Sequence, residues 1–142
     1  MKTSARNVFN GTVKEIHPGA INDEIVLTAE GGQEIVAIVT NTSTRKLGLA
    51  PGKPCIAMIK ASTVLVMTDA SDYLLSTRTQ FDGHIARLEK GAVNSEVEIR
   101  TAGGFNLCAI ITNASAAGLG LAPGVAATAI VKAPQVILAV PR

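Results

Sequence analysis

Short apolar runs and compact polar turns alternate along this chain, and the first seventy or so residues carry the pattern in full. Val8 to Ile16 is rich in β-formers and contains Gly11. A glycine inside a strand marks a bend or bulge, as small barrels need. His17-Pro18-Gly19-Ala20 is a turn, and Glu24 to Thr28 is the next strand. Glu30-Gly31-Gly32-Gln33 is a hairpin loop with glycine at the positive-φ positions. Ile35 to Thr40 is the third strand, and Asn41 to Leu47 has room for only about one or two helical turns. Leu49-Ala50-Pro51-Gly52 returns the chain to a fourth strand, Cys55 to Lys60, and a fifth, Val64 to Met67. This order, with one short helix after the third strand, is that of a small OB-type barrel.

The pattern then repeats. Arg6 to Thr68 matches Arg78 to Val140 without a gap, at an offset of 72 (78 − 6 = 72). Thr40-Asn41-Thr42-Ser43, Leu47-Gly48-Leu49-Ala50-Pro51-Gly52 and Ile59-Lys60-Ala61 return as Thr112-Asn113-Ala114-Ser115, Leu119-Gly120-Leu121-Ala122-Pro123-Gly124 and Val131-Lys132-Ala133. Equal loop lengths imply one fold used twice. The expected architecture is all-β: two tandem OB-like five-stranded barrels, each with one short helix, over residues 1–70 and 74–142. Asp69-Ala70-Ser71-Asp72-Tyr73 is the polar joint. Ile35 to Val39 and Val64 to Met67 are apolar at every position, whereas a lone barrel should alternate. Both faces of these strands should therefore be covered, and domains so small are marginal alone. Association is expected between the copies, between chains, or both.

Composition narrows the function. Charged residues are 17 % of the 142, and the net charge is +2. That balance does not point to nucleic acid or an anionic membrane. No apolar run approaches a membrane span, and Met1 to Asn7 lacks the apolar core of a signal peptide. A soluble cytoplasmic protein is the expectation. Cys55 aligns with Ala127 and Cys108 with Val36, so neither position demands sulfur; both read as small buried side chains with inert thiols. No metal spacing is present, and His17 and His84 fall opposite Glu89 and Thr12. No nucleophile–base pair, Walker-type loop or dinucleotide fingerprint appears, so an enzyme is not expected.

Three features can carry chemistry, each beside a plainer reading. Thr40, Asn41 and Ser43 line a helix entrance and could simply cap it. Free N–H groups and hydroxyls there also suit an anion, and each copy ends a strand on a lysine, Lys60 or Lys132. Ser4 and Arg6, echoed as Ser76 and Arg78, are either solvated residues at a strand start or donors reaching a neighbouring barrel. A hydroxyl and a guanidinium fork suit a dianion that only accepts hydrogen bonds. Gly19-Ala20-Ile21-Asn22, echoed as Gly91-Ala92-Val93-Asn94, is either an empty turn or an anion-binding nest.

Together, Thr3-Ser4-Ala5-Arg6-Asn7, the Gly19 turn with Glu24, Thr40-Asn41-Thr42-Ser43, Leu47-Gly48-Leu49 and Ile59-Lys60-Ala61-Ser62 resemble a Mop domain. This is the molybdate-binding module of molbindins and of molybdate-responsive transcription regulators, and the whole chain resembles a tandem, two-Mop molbindin. The resemblance implies a trimer of two-barrel chains that binds molybdate, and tungstate, for molybdenum storage and homeostasis. It implies no cofactor beyond that ligand, no metal held directly by side chains, and neither nucleic acid nor membrane as partner. One class of site, between subunits, would use Ser4, Arg6, Thr40, Ser43, Lys60 and Ala61, and in the second copy Ser76, Arg78, Thr112, Ser115, Lys132 and Ala133. A second class, on the threefold axis, would use Gly19, Ala20, Ile21 and Asn22, and Gly91, Ala92, Val93 and Asn94.

The copies also differ. Arg45-Lys46 becomes Ala117-Gly118, Ser62 becomes Pro134 and Asn7 becomes Thr79, so the second interface site should be less positive and weaker. Regulators of the family have a DNA-binding helical domain ahead of the Mop pair. Here the first repeat begins at about the sixth residue, so none is expected. Two other classes compete with oxyanion binding. A single-stranded nucleic-acid binder of OB type needs stacking aromatics, but Phe9, Tyr73, Phe81 and Phe105 are scattered. A structural oligomer with vestigial sites is the other alternative.

Overall fold

The computed structural model describes residues 1–142. The first half runs β1 (Asn7–His17), β2 (Asn22–Ala29), β3 (Glu34–Thr40), α1 (Asn41–Leu47), β4 (Pro54–Ile59) and β5 (Leu65–Met67). The second repeats it as β6 (Gln80–Lys90), β7 (Asn94–Thr101), β8 (Asn106–Thr112), α2 (Asn113–Gly118), β9 (Ala126–Ile130) and β10 (Val136–Ala139). The expected strands and helices are present, with ends shifted by a residue or two. The polar joint holds a single 3-10 turn, Ala70–Asp72, anchored by buried Ala70.

The final strand of each copy is exchanged. The two sheets read β10-β4-β1-β2-β3 and β5-β9-β6-β7-β8, with every pairing antiparallel. Val136 lies opposite Ile59, and Leu65 opposite Ile130. Each sheet curls so that its borrowed strand approaches the far edge, β10 near β3 and β5 near β8. One sheet is therefore not one stretch of chain. The exchange ties the halves together, since each sheet contains the other half's last strand.

A continuous core of 24 buried residues joins the halves. Buried Phe81 stacks on half-buried Phe9, its equivalent by the repeat, with centroids 6.0 Å apart. Phe105 meets them edge-on at 5.2 and 5.5 Å. Burying one such ring contributes about 1.5–3 kcal/mol. Around this core each half inserts a polar plug into the other's edge strand. The side chain of Asn7, 3 % exposed, donates to the Cys108 carbonyl and accepts from the Cys108 N–H, both at 2.8 Å. Its counterpart Thr79 has only a hydroxyl, which accepts from the Val36 N–H at 3.0 Å.

Covering by the partner half explains the unbroken apolarity of β3, where Ile35, Val36 and Ala37 are all buried. Within the chain β5 is not covered in this way: Leu65 is 64 % exposed, and its equivalent Ile137 61 %. These are strands at a sheet edge with one face open. Nor does Gly11 mark the bulge. The register slips between Val13 and Glu15, and between Ile85 and Arg87. The glycines are required by close approach instead, because a Cβ on Gly83 would lie 2.1 Å from the Arg100 carbonyl oxygen. The hairpin glycines Gly31 and Gly32 do take positive φ, 90° and 89°.

Candidate functional site

Each short helix begins where a strand ends on a threonine. Thr40 stays extended (φ −67°, ψ 152°), and its Oγ1 accepts from the Ser43 N–H at 3.1 Å while donating to Ser43 Oγ at 2.9 Å. Thr112 and Ser115 reproduce both distances. The hydroxyls thus act as caps, the plainer of the two readings. Capping leaves chemistry to spare, because a serine hydroxyl that accepts from threonine still has its own proton to donate.

Asn41 does different work from its neighbours. Its backbone N–H donates to the Ile21 carbonyl at 2.9 Å, and its Nδ2 donates to Gly19 O at 3.2 Å and to Asp23 Oδ1 at 2.5 Å. Asn113 likewise donates from its backbone to Val93 O and from Nδ2 to Gly91 O, both at 2.9 Å. Helix entrance and glycine turn therefore form one rigid unit in each half. The turns contain no positive-φ residue, so only part of their N–H groups is left for a ligand. Neither Gly19 nor Gly91 has positive φ, and their N–H groups are taken, by Asp23 Oδ1 at 3.2 Å and by Asn94 O at 2.8 Å. Glycine is needed because a Cβ would meet the Asn22 carbonyl oxygen at 2.3 Å, or that of Asn94 at 2.8 Å. The N–H groups of Ala20, Ile21, Ala92 and Val93 make no hydrogen bond within the chain and remain available.

The lysine-ended strands arrive crosswise. After Lys60 the chain enters a 3-10 turn, Ala61–Thr63, that packs on β8; after Lys132 the turn Ala133–Gln135 packs on β3. Thr40 and Ser43 consequently share a cleft of about 420 Å³ with Pro134, Val136 and Ile137. Ser115 shares one of about 510 Å³ with Leu65, Val66 and Met67. Within one chain, the segment that follows each Lys-Ala pair thus walls the cleft at the other copy's helix entrance, while Lys60, Ala61, Lys132 and Ala133 do not line either cleft. Lys60 and Lys132 are exposed, whereas Ala61 is buried.

Ser4 and Ser76 are exposed, and the arginines beside them bind carboxylates of the opposite half. Arg6 pairs with Glu96, and Arg78 Nη2 lies 2.7 Å from Glu24 Oε1. Glu24 belongs to the motif that carries the resemblance but was given no site role, nor was Glu96 at the same repeat position; their recurrence beside recurring arginines was the available signal. A cleft of about 280 Å³ brings Arg6 to the second turn, where Lys90, Gly91, Asn94 and Ser95 line it. Arg6 and the turn, assigned above to different classes of site, therefore border one cavity.

No group of three His, Cys, Asp or Glu side chains is placed to hold a metal ion. Both cysteines are free, and burial pushes the Cys55 and Cys108 thiols above their ordinary range. Thiols so raised are poor nucleophiles at neutral pH. No helix is long and apolar enough to cross a membrane.

Similarity to known proteins shows the family and the fold. The family model described as "TOBE domain" matches residues 3–66 and again 75–138. A crystal structure of the cytoplasmic molybdate-binding protein ModG, in a form with molybdate bound, superposes with a TM-score of 0.95. It is 47 % identical and covers 99 % of this chain and 100 % of that one. The molybdenum transport protein ModE of Herbaspirillum seropedicae is 44 % identical over 140 residues, covering 99 % of this chain and 52 % of that protein. The molybdenum-pterin-binding protein MopA of Rhodobacter capsulatus is 40 % identical over 141 residues, 99 % of this chain and 53 % of its own length. The chain spans about half the length of these two curated relatives.

Proposed function

The chain belongs to the TOBE-domain family as a tandem pair of modules, and from that premise we propose that it binds molybdate at sites built on its two helix entrances. The observation that carries the reading is the crosswise cleft. In each half the cleft at a Thr-x-x-Ser entrance with a spare hydroxyl proton is walled by the segment that follows the Lys-Ala strand end of the other copy. Molybdate at neutral pH is a tetrahedral dianion with no proton to donate, so hydroxyls, amides and ammonium groups suit it. The 47 % identical ModG structure, with the same tandem fold over its full length, supports the ligand.

Ser4 with Arg6, and Ser76 with Arg78, complete these sites from a neighbouring subunit, the arginines leaving Glu96 and Glu24 when an oxyanion arrives. The exposed pairs Ile21 and Val93, and Leu65 and Ile137, give a homotrimer apolar surface to cover. Exposed apolar patches of this kind mark contact surfaces. The protein is cytoplasmic, accepts tungstate as well as molybdate, stores and buffers the oxyanion, and catalyses no reaction.

Titration calorimetry with molybdate, sulfate and a single-stranded oligonucleotide tests this. Heat with molybdate and none with the oligonucleotide is expected. Changing Lys60→Ala and Lys132→Ala together should weaken molybdate binding at least about tenfold, the worth of one charge-assisted hydrogen bond, with an unchanged thermal melt. Undiminished affinity in that double variant would remove the lysines from the site. Light scattering should give the mass of about three chains.

A further inference from the structure

The two glycine turns share a backbone plan but not a chemistry. We propose that an oxyanion site at the turn belongs to the second half alone, the Asp23 carboxylate excluding a dianion from the first. This rests on the molybdate-binding reading above and adds to it a residue that decides which half binds.

The repeat places Asp23 and Ser95 at one position, and both are buried, at 5 % and 2 % exposure. Asp23 Oδ1 accepts from the Gly19 N–H at 3.2 Å and from Asn41 Nδ2 at 2.5 Å. The first turn therefore already holds an anion of its own, bonded to the glycine that opens the loop. The Thr44 hydroxyl, then the Gly19 N–H and the Asn41 amide, with a smaller pull from Arg45, hold this carboxyl below its ordinary range against the opposing effect of burial. At neutral pH it is ionised. A molybdate oxygen approaching the free N–H groups of Ala20 and Ile21 meets a fixed negative charge one short turn away.

In the second turn the Ser95 hydroxyl donates to Asn113 Oδ1 at 2.6 Å, and no carboxylate enters the loop. The surroundings differ in the same sense. The cleft at the second turn holds Arg6 and Lys90 with Glu89 and Glu96. Glu96 pairs with Arg6, and Arg87 is shared by Glu89 at 2.6 Å, Glu98 at 3.1 Å and Glu96 at 3.8 Å, so that with Lys90 the three cations balance the three carboxylates. Around the first turn Pro18 replaces Lys90, His17 replaces Glu89 and Glu15 replaces Arg87. Arg78 is engaged by Glu24, which leaves Asp23 with only the distant help of Arg45.

Molybdate titrations of the wild type, Asp23→Asn, Asp23→Ser and Ser95→Asp decide the matter. Either Asp23 variant should gain a class of sites that the wild type lacks, with affinity at the first turn raised about ten- to a hundredfold by removal of the nearby charge. Ser95→Asp should lose the equivalent class at the second turn. If Ser95→Asp does not fold, the Asp23→Asn gain still carries the result, since asparagine keeps the shape and removes only the charge. Normal wild-type binding with the same number of sites in both Asp23 variants would overturn this inference alone. Absence of heat with molybdate in the wild type would overturn the parent reading and this one together.

Discussion

The first half of this chain invests its charge in its helix, and the second invests it around its turn. Helix α1 has Arg45 and Lys46 in its last turn, a Gly48 cap at φ 62°, and Lys53 Nζ bonded to the Leu47 carbonyl at 2.8 Å. Cations there complement the helix dipole. Helix α2 has no basic residue, and Val125 stands where Lys53 would. The turns reverse the order: a buried carboxylate sits in the first, and a neutral hydroxyl with Arg6 and Lys90 nearby in the second. A duplicated fold can thus keep its hydrogen-bond skeleton and change the electrostatics of each copy, because the skeleton lies in the backbone and the charge in side chains around it.

The largest test of this comparison is to separate the halves. A fragment of residues 1–70 retains β1 to β5 but lacks β10, so the outer edge of β4 is unpaired and the apolar contact around Phe9 is open. It should be unfolded as a monomer, or recover structure only by dimerising and exchanging β5 between chains. Circular dichroism with sedimentation reads this directly, and a folded monomeric fragment would show that the exchange is dispensable.

A smaller effect separates the two polar plugs. Asn7→Ala strands both the N–H and the carbonyl of Cys108, and should cost about 2 kcal/mol in urea unfolding. Thr79→Ala frees a single N–H of Val36 and should cost about 1 kcal/mol. Equal losses would mean that the second hydrogen bond of Asn7 contributes nothing.

The smallest effect is a pH dependence peculiar to the first half. The folded Asp23 carboxyl titrates below its unfolded value, so its stabilising contribution is complete above the ordinary carboxylate range and disappears as pH falls through the lower, folded value. Thermal melts of the wild type should exceed those of Asp23→Asn at neutral pH, with the gap closing below about pH 4. A gap independent of pH would assign the effect to shape and not to charge. Ser95→Ala should show no such closing.

Much of this was legible in the residues. The gapless repeat, the placement of α1 after β3, and the positive-φ glycines at Gly31 and Gly32 follow from local preferences that few contacts can override. The Thr-x-x-Ser cap was equally plain, because it satisfies N–H groups three residues away. The role of Gly11 was not legible because it depends on the Thr28 carbonyl that lies across the sheet. Glu24, Glu96 and Asp23 stayed silent because a carboxylate in a strand looks like any solvated charge until its partner is placed.

The sequence by itself determined the module, its duplication and its donor chemistry, since these are encoded in periodicity, spacing and residue type. Only the tertiary structure decided that the last strands change places, that the turn after each Lys-Ala end packs on the other copy's third strand, and that Arg6 and Arg78 face carboxylates of the other half. Two halves with the same strand pattern present similar edges, so local pattern cannot say which edge a strand will join. The connection through residues 68–79 and the closing of one shared core make that choice.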